Sequence, residues 1–172
     1  MKEIEAKLLE VDKAELGKKL VELGAVLTRD VDVRALYFDY PDGRLLKSGT
    51  QLRLRQIGEV VELSLKEPID RDGVKTMEEA ELTLSDLETA KKILESLAFE
   101  KTKELRKHRT TYQLSGVKYE MDTYPDIPTF VEVEGPSKEA VYEAVRRVGY
   151  DPADLKPWDA FQLLEHYGKD LE

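Results

Sequence analysis

The segment Glu3-Ile4-Glu5-Ala6-Lys7 alternates charged and apolar residues, which is the period of a half-buried β-strand. On such a strand Glu3, Glu5 and Lys7 share one face, and Ile4, Ala6 and Leu8 share the other. Side chains two apart stand roughly 7 Å apart. Two carboxylates aimed the same way repel unless water, a cation or a basic side chain sits between them. The same two-carboxylate step returns at Glu79-Ala80-Glu81 and at Glu132-Val133-Glu134. Each copy runs into a helix-start residue: Asp12, Ser85 and Ser137 respectively. The chain therefore reads as an internal repeat of strand, cap and amphipathic helix.

Between the copies lie strands of the same rhythm that carry cations: Arg53-Leu54-Arg55, Glu62-Leu63-Ser64-Leu65-Lys66 and Lys107-His108-Arg109. Many strands with one apolar face and one face bearing both charges imply a closed sheet. The charged faces then turn inward and helices cover the apolar outside. Strands outnumber helices and connect mostly as hairpins, so the expected class is α+β with an antiparallel sheet.

In chain order, strand Met1–Glu10 leads into helix Lys13–Leu23, capped by Asp12 and closed by Gly24. Strands are expected at Arg29–Asp39, Gln51–Ile57, Val60–Lys66 and Val74–Leu84, with a loop from Glu67 to Gly73. Ser85 and Glu88 have capping-box spacing before a helix ending near Ala98. Strands Phe99–Leu114, Val117–Asp122 and Thr129–Glu134 follow, then a helix opened by Ser137 and a short last helix over Trp158–Tyr167.

A length of 172 residues fits one domain, taken as 1–172, or two closely joined halves. The net charge of −9 argues against general nucleic-acid binding, although a local basic site is compatible with it. The absence of cysteine excludes thiol catalysis and thiolate zinc sites. The first strand is expected to start at once, so no signal peptide is expected, and the sequence contains no apolar run of about 18 residues. The cytoplasm is the expected compartment, with no membrane partner.

The ordered motifs resemble the CYTH proteins, the triphosphate tunnel metalloenzymes, among them class IV adenylyl cyclases and thiamine triphosphatases. The likeness begins with Glu3-x-Glu5-x-Lys7 and continues through Asp32–Asp39, Gln51–Arg55 and Leu65-Lys66. It then runs through Glu79-x-Glu81, Lys107-x-Arg109, Glu120-Met121-Asp122 and Phe130–Glu134. The resemblance implies a closed antiparallel β-barrel with helices packed outside, whose tunnel binds a triphosphate-containing small molecule with Mg²⁺ or Mn²⁺. There are two departures. Met77, with Lys75 nearby, stands where the family often has an arginine, and Asp126–Thr129 replaces a Leu-Gly before the last strand.

The roles that follow are those of a triphosphate site. Arg53, Arg55 and Arg109 offer planar forks for phosphate oxygens, and Lys7, Lys66 and Lys107 offer point charges. Glu3, Glu5, Glu132 and Glu134 are the expected metal ligands. Glu79, Glu81, Glu120 and Asp122 either join them or orient the cations. Glu3, Glu5, Lys7 and Lys66 make the expected catalytic set. The alternative is that the basic residues merely pair with tunnel carboxylates. His108 should point away from Lys107 and Arg109, and His166 lies in the tail, so both read as structural or solvated. Trp158, Phe161 and Tyr167 read as core packing or closure of a tunnel end. Catalysis then rests on metal. The leading reading is a class IV cyclase-like enzyme that converts ATP to cyclic AMP and pyrophosphate. The alternatives are a triphosphatase for thiamine triphosphate, nucleoside triphosphate or tripolyphosphate, a non-catalytic triphosphate-binding module, and a structural barrel with a salt-bridged interior. The oligomeric state, homodimer included, stays open.

Overall fold

We describe residues 2–169 of a computed structural model. Met1, which opens the expected first strand, and residues 170–172 of the expected domain lie outside the described residues. The strands are β1 (Lys2–Leu8), β2 (Val26–Asp39), β3 (Gln51–Ile57), β4 (Val60–Asp70), β5 (Lys75–Leu84), β6 (Glu100–Leu114), β7 (Val117–Thr123) and β8 (Phe130–Glu134). The helices are α1 (Lys13–Glu22), α2 (Arg44–Ser48), α3 (Leu87–Ser96), α4 (Lys138–Arg147) and α5 (Ala160–His166). The strands form one closed antiparallel barrel in the order β1-β5-β4-β3-β2-β6-β7-β8. The runs β2 to β5 and β6 to β8 are meanders, and β1 joins them by pairing with β5 on one side and β8 on the other. The expected α+β barrel with outer helices is therefore the observed fold.

The period-two pattern explains the layers. Outward residues Ala6, Leu8, Tyr119, Met121, Val131 and Val133 are buried in one apolar cluster with Leu16 and Leu20 of α1 and Val141 and Val145 of α4. Leu36, Phe38, Leu52 and Leu54 form a second cluster with Leu87 and Leu94 of α3. Each buried Val, Leu, Phe or Met side chain among them contributes roughly 1.5–3 kcal/mol, so α1, α3 and α4 are held by their apolar stripes rather than by their own propensity. A third cluster differs, because it lies inside the barrel. Ala35, Tyr37, Leu105 and Phe130 share faces with tunnel residues and pack against Leu163 and Leu164 of α5. Phe161 meets the ring of Tyr37 at 4.7 Å. Trp158 and Tyr167 flank the ring of His166 at 4.9 Å each. The C-terminal segment thus stoppers one end of the tunnel.

The three Glu-x-Glu strands each precede a helix, as the repeat implies: β1 before α1, β5 before α3 and β8 before α4. They are also neighbours in the barrel, in the order β5-β1-β8. Asp12 and Ser137 cap α1 and α4. The cap of α3 is Asp86, not Ser85: Asp86 has the extended backbone and accepts from the Thr89 amide at 2.7 Å. Glu88 consequently sits one position too early for a capping box. Several boundaries also move. β1 ends at Leu8, and Glu10 takes a left-handed φ of 56° that turns the chain into α1. β2 starts at Val26, because β6 is long enough to pair with it from Glu100 to Gln113. β4 runs to Asp70 through the expected loop, because β5 pairs with it as far as Thr76. The helix α2 was not foreseen. Its start is held by the buried Asp39 carboxylate, which accepts from the Leu45 and Leu46 amides at 3.0 and 2.9 Å.

Candidate active site in the barrel tunnel

Alternation inside a closed sheet places the charged faces around a cavity of about 210 Å³. Its lining includes ten lysines and arginines and eight glutamates, so the interior is slightly basic in a chain of net charge −9. The topology sorts these charges. The Glu-x-Glu strands β5, β1 and β8 form one arc of the wall, and β3 and β6, which carry Arg53, Arg55, Lys107 and Arg109, flank β2 on the opposite side. Of the sequence-predicted residues, Glu3, Glu5, Lys7, Arg53, Arg55, Lys66, Glu79, Glu81, Lys107, Arg109, Glu120, Glu132 and Glu134 line the cavity. Asp122 is fully buried behind them and binds Lys107 at 2.5 Å.

The first and last strands do meet. Glu5 stands opposite Glu134, and Lys7 opposite Glu132. Lys7 Nζ reaches Glu132 at 2.6 Å and donates to the Trp158 carbonyl at 2.7 Å. Arg109 spans Asp122, Glu120 and Glu132, with its Nε 2.7 Å from Asp122 Oδ1. Lys66 bonds both oxygens of Glu3 at 2.6 Å and stands 3.3 Å from Glu79. Arg55 bridges Glu62 and Glu81 at 2.8 and 2.9 Å. Lys118 holds Glu134 at 3.0 Å. Arg53 is the exception. Its Nε and Nη2 are buried without a hydrogen-bond partner among the described residues, and Glu79 stands 3.9 Å away.

Burial and charge act against each other here. Burial is the largest influence on Glu5 and pushes its carboxyl up; Lys75, Lys7 and Lys66 together outweigh it and hold the carboxyl at about 2. Glu132 is also held well below the usual carboxylate range, because Lys7, Lys107 and Arg109 together overcome its burial. Glu3 and Glu134 go the other way, raised by burial and by neighbouring carboxylates. Burial, then Arg109, lowers Lys107.

Lys118, Glu62 and Tyr37 also line the cavity without having been singled out for it. Lys118 and Glu62 were findable by stepping the period-two rhythm backwards from Glu120 and from Ser64. Ala160, from the C-terminal segment, was not findable, because no local pattern says what that segment covers. His108 lies outside the barrel wall between Asp32 and Asp30, at 2.8 and 3.0 Å.

The donor set of the acidic arc is carboxylate oxygen without imidazole or thiolate, which suits a hard divalent cation. Among the described residues no three acidic, histidine or cysteine groups cluster closely enough to hold a metal unaided. No helix among the described residues is long and apolar enough to cross a membrane.

Comparison with known proteins gives this geometry a lineage. A protein of Methanocaldococcus jannaschii named "Putative adenylate cyclase" is 27% identical over 135 residues, which cover 78% of this chain and 77% of the relative. The solved structure of a Pyrococcus horikoshii protein matches with a TM-score of 0.80 at 24% identity, covering 94% of this chain and 98% of its own. A Hippeastrum protein described as having a dominant triphosphatase activity matches with a TM-score of 0.71 at 19% identity, covering 98% and 97%. At these identities the solved structures establish the fold. The CYTH domain family matches residues 1–153, which is most of the sequence, and the chain belongs to that family.

Proposed function

We propose that this chain is a divalent-metal-dependent enzyme that binds a triphosphate in its barrel tunnel. The observation that carries the reading is the Arg53 guanidinium, buried in the wall with Nε and Nη2 lacking hydrogen-bond partners among the described residues. A buried, unpartnered donor is costly, and phosphate oxygens match this donor. Arg55, Lys66, Lys7, Lys107 and Arg109 surround the same cavity and would share the remaining phosphate charge.

Glu3, Glu5, Glu132 and Glu134 would hold Mg²⁺ or Mn²⁺, with phosphate oxygens completing a coordination sphere that the carboxylates cannot fill alone. When bound, the cation would neutralise developing charge on the phosphates and help position the attacking oxygen. Lys7 is held by Glu132 and the Trp158 carbonyl, which fixes its ammonium at the stoppered end. Arg53 and Arg55 orient the phosphate chain from the opposite wall.

The preferred reaction is cyclisation: the ribose 3′-oxygen of ATP attacks the α-phosphorus, the bond to the bridging oxygen breaks, and pyrophosphate leaves. The name of the Methanocaldococcus relative supports this reading. The Hippeastrum neighbour supports the alternative, in which water attacks the terminal phosphorus, its bond to the bridging oxygen breaks, and the diphosphate leaves while the terminal group is released as orthophosphate. The deciding experiment presents nucleoside triphosphates, thiamine triphosphate and tripolyphosphate with Mg²⁺ and Mn²⁺, and resolves the products. Cyclic nucleotide with pyrophosphate is expected. Orthophosphate with the matching diphosphate, and no cyclic nucleotide, would select the triphosphatase, and binding without turnover would reduce the site to a non-catalytic module.

A further inference from the structure

The register of β1 against β5 sets Glu5 opposite Lys75 and Glu3 opposite Met77. Lys75, Met77, Glu79 and Glu81 alternate onto the inner face of β5. This strand therefore lends one cation to the acidic arc, and it lends it to Glu5. The pair is tight: Lys75 Nζ stands 2.5 Å from Glu5 Oε1, with both side chains at most 7% exposed. Lys7 is a more distant neighbour of Glu5, at 3.9 Å, and is engaged by Glu132 and the Trp158 carbonyl. Glu3, facing apolar Met77, draws its cation from β4 through Lys66. The two members of the first Glu-x-Glu step are thus neutralised by different strands.

We propose that Lys75 is a built-in counter-cation that competes with a divalent metal for Glu5, and so determines when the tunnel takes up metal. Lys75 takes up Glu5 Oε1, and an ammonium held 2.5 Å from that oxygen repels a divalent cation brought to the same buried carboxylate. Without an anion in the tunnel, releasing Glu5 would strand a buried ammonium, which is strongly unfavourable. A triphosphate oxygen gives Lys75 a new partner and frees Glu5. Metal and triphosphate then bind with positive coupling, and each raises the affinity of the other by the same factor. The inference rests on the proposed triphosphate reading of the site.

The test is calorimetric titration of Mn²⁺ into the anion-free protein, and separately of tripolyphosphate into metal-free protein with chelator. Lys75→Met is expected to tighten Mn²⁺ binding tenfold or more and to weaken metal-free tripolyphosphate binding tenfold or more. Because Lys75→Met leaves Glu5 without its closest partner, the double variant Glu5→Gln/Lys75→Met serves as a neutral pair, and folding of both variants is checked by circular dichroism. It should return Mn²⁺ affinity to the wild-type level or below. An unchanged Mn²⁺ affinity in Lys75→Met, with wild-type tripolyphosphate binding intact, overturns the competition and leaves the triphosphate site standing. Failure of the wild type and both variants to bind tripolyphosphate or Mn²⁺ overturns this inference together with the proposed function.

Discussion

Arg109 and His108 are adjacent in sequence and sit on opposite sides of one barrel wall. Inside, Arg109 has a side chain only 7% exposed and bonds three carboxylates, Asp122, Glu120 and Glu132. Outside, His108 is 39% exposed and lies between Asp30 and Asp32, themselves more exposed still. Arg34 and Glu104 form a similar outer pair at 2.9 Å. The residue types and distances are alike, and the difference is water. Outer pairs are screened and contribute little. An inner pair has already lost its hydration, so removing one partner strands a charge. Under the proposed function, the inner charges hold one another in place and a bound anion and cation would replace those contacts.

The largest effect should come from Arg109→Met. Three carboxylates would lose their common partner, and breaking buried pairs of this kind costs about 3–5 kcal/mol. Urea denaturation at neutral pH measures it, and a loss comparable to that of an outer pair would erase the contrast between the two sides of the wall. Arg53→Ala comes next and sharpens the inner half. Its Nε and Nη2 have no hydrogen-bond partner among the described residues, and its contacts are a hydrogen bond with Tyr37 and Glu79 at 3.9 Å, so the expected stability cost is well below that of Arg109→Met. Tripolyphosphate affinity at fixed metal and salt should fall tenfold or more, because a charge-assisted hydrogen bond contributes roughly 1.5–3 kcal/mol. Arg146→Ala and Arg147→Ala remove equal charge from the exposed side of α4 and should leave that affinity nearly intact. An equal loss there would assign the effect to the protein's overall field.

Arg34→Ala should cost about 0–1 kcal/mol, and less at high salt; a larger loss, insensitive to salt, would mean the outer wall behaves like the inner one. The smallest effect belongs to His108. Hydrogen bonds to Asp32 and then Asp30 raise its pKa above the ordinary value, against opposition from burial and Lys13. A raised folded-state value means the stabilisation is complete below about pH 6.5 and fades as pH rises through the folded value. The stability difference between wild type and His108→Gln should therefore shrink with rising pH, from about 0.5 kcal/mol or less. A difference that grows with pH would contradict the sign.

Much of the candidate site was legible because facing is a local property of a strand. Glu3, Glu5 and Lys7, or Arg53 and Arg55, share a side whatever the rest of the chain does. Amphipathic helices were legible for the same reason, and Asp12 and Ser137 cap where local chemistry says they should. Ser85 misled because two consecutive capping residues compete, and the backbone of Asp86 is the one that turns extended. The short helix α2 was hidden because its N-terminal partner, Asp39, lies at the end of a preceding strand and is placed by the barrel.

From the sequence alone one can derive the barrel's period, its helix-covered exterior and the residues that face its interior, because alternation and amphipathicity are written in neighbours two to four residues apart. Only the tertiary structure decided which inner charges meet. A shift of two residues in strand register keeps every side chain on its face and changes every partner. By that margin Lys75 stands opposite Glu5 while Met77 stands opposite Glu3. Closure of the barrel brought Lys7 to Glu132. The packing of the C-terminal segment placed the Trp158 carbonyl on Lys7 and stoppered one end of the tunnel. These are contacts between residues far apart in the chain, and their geometry follows from how the strands and the last helix pack together.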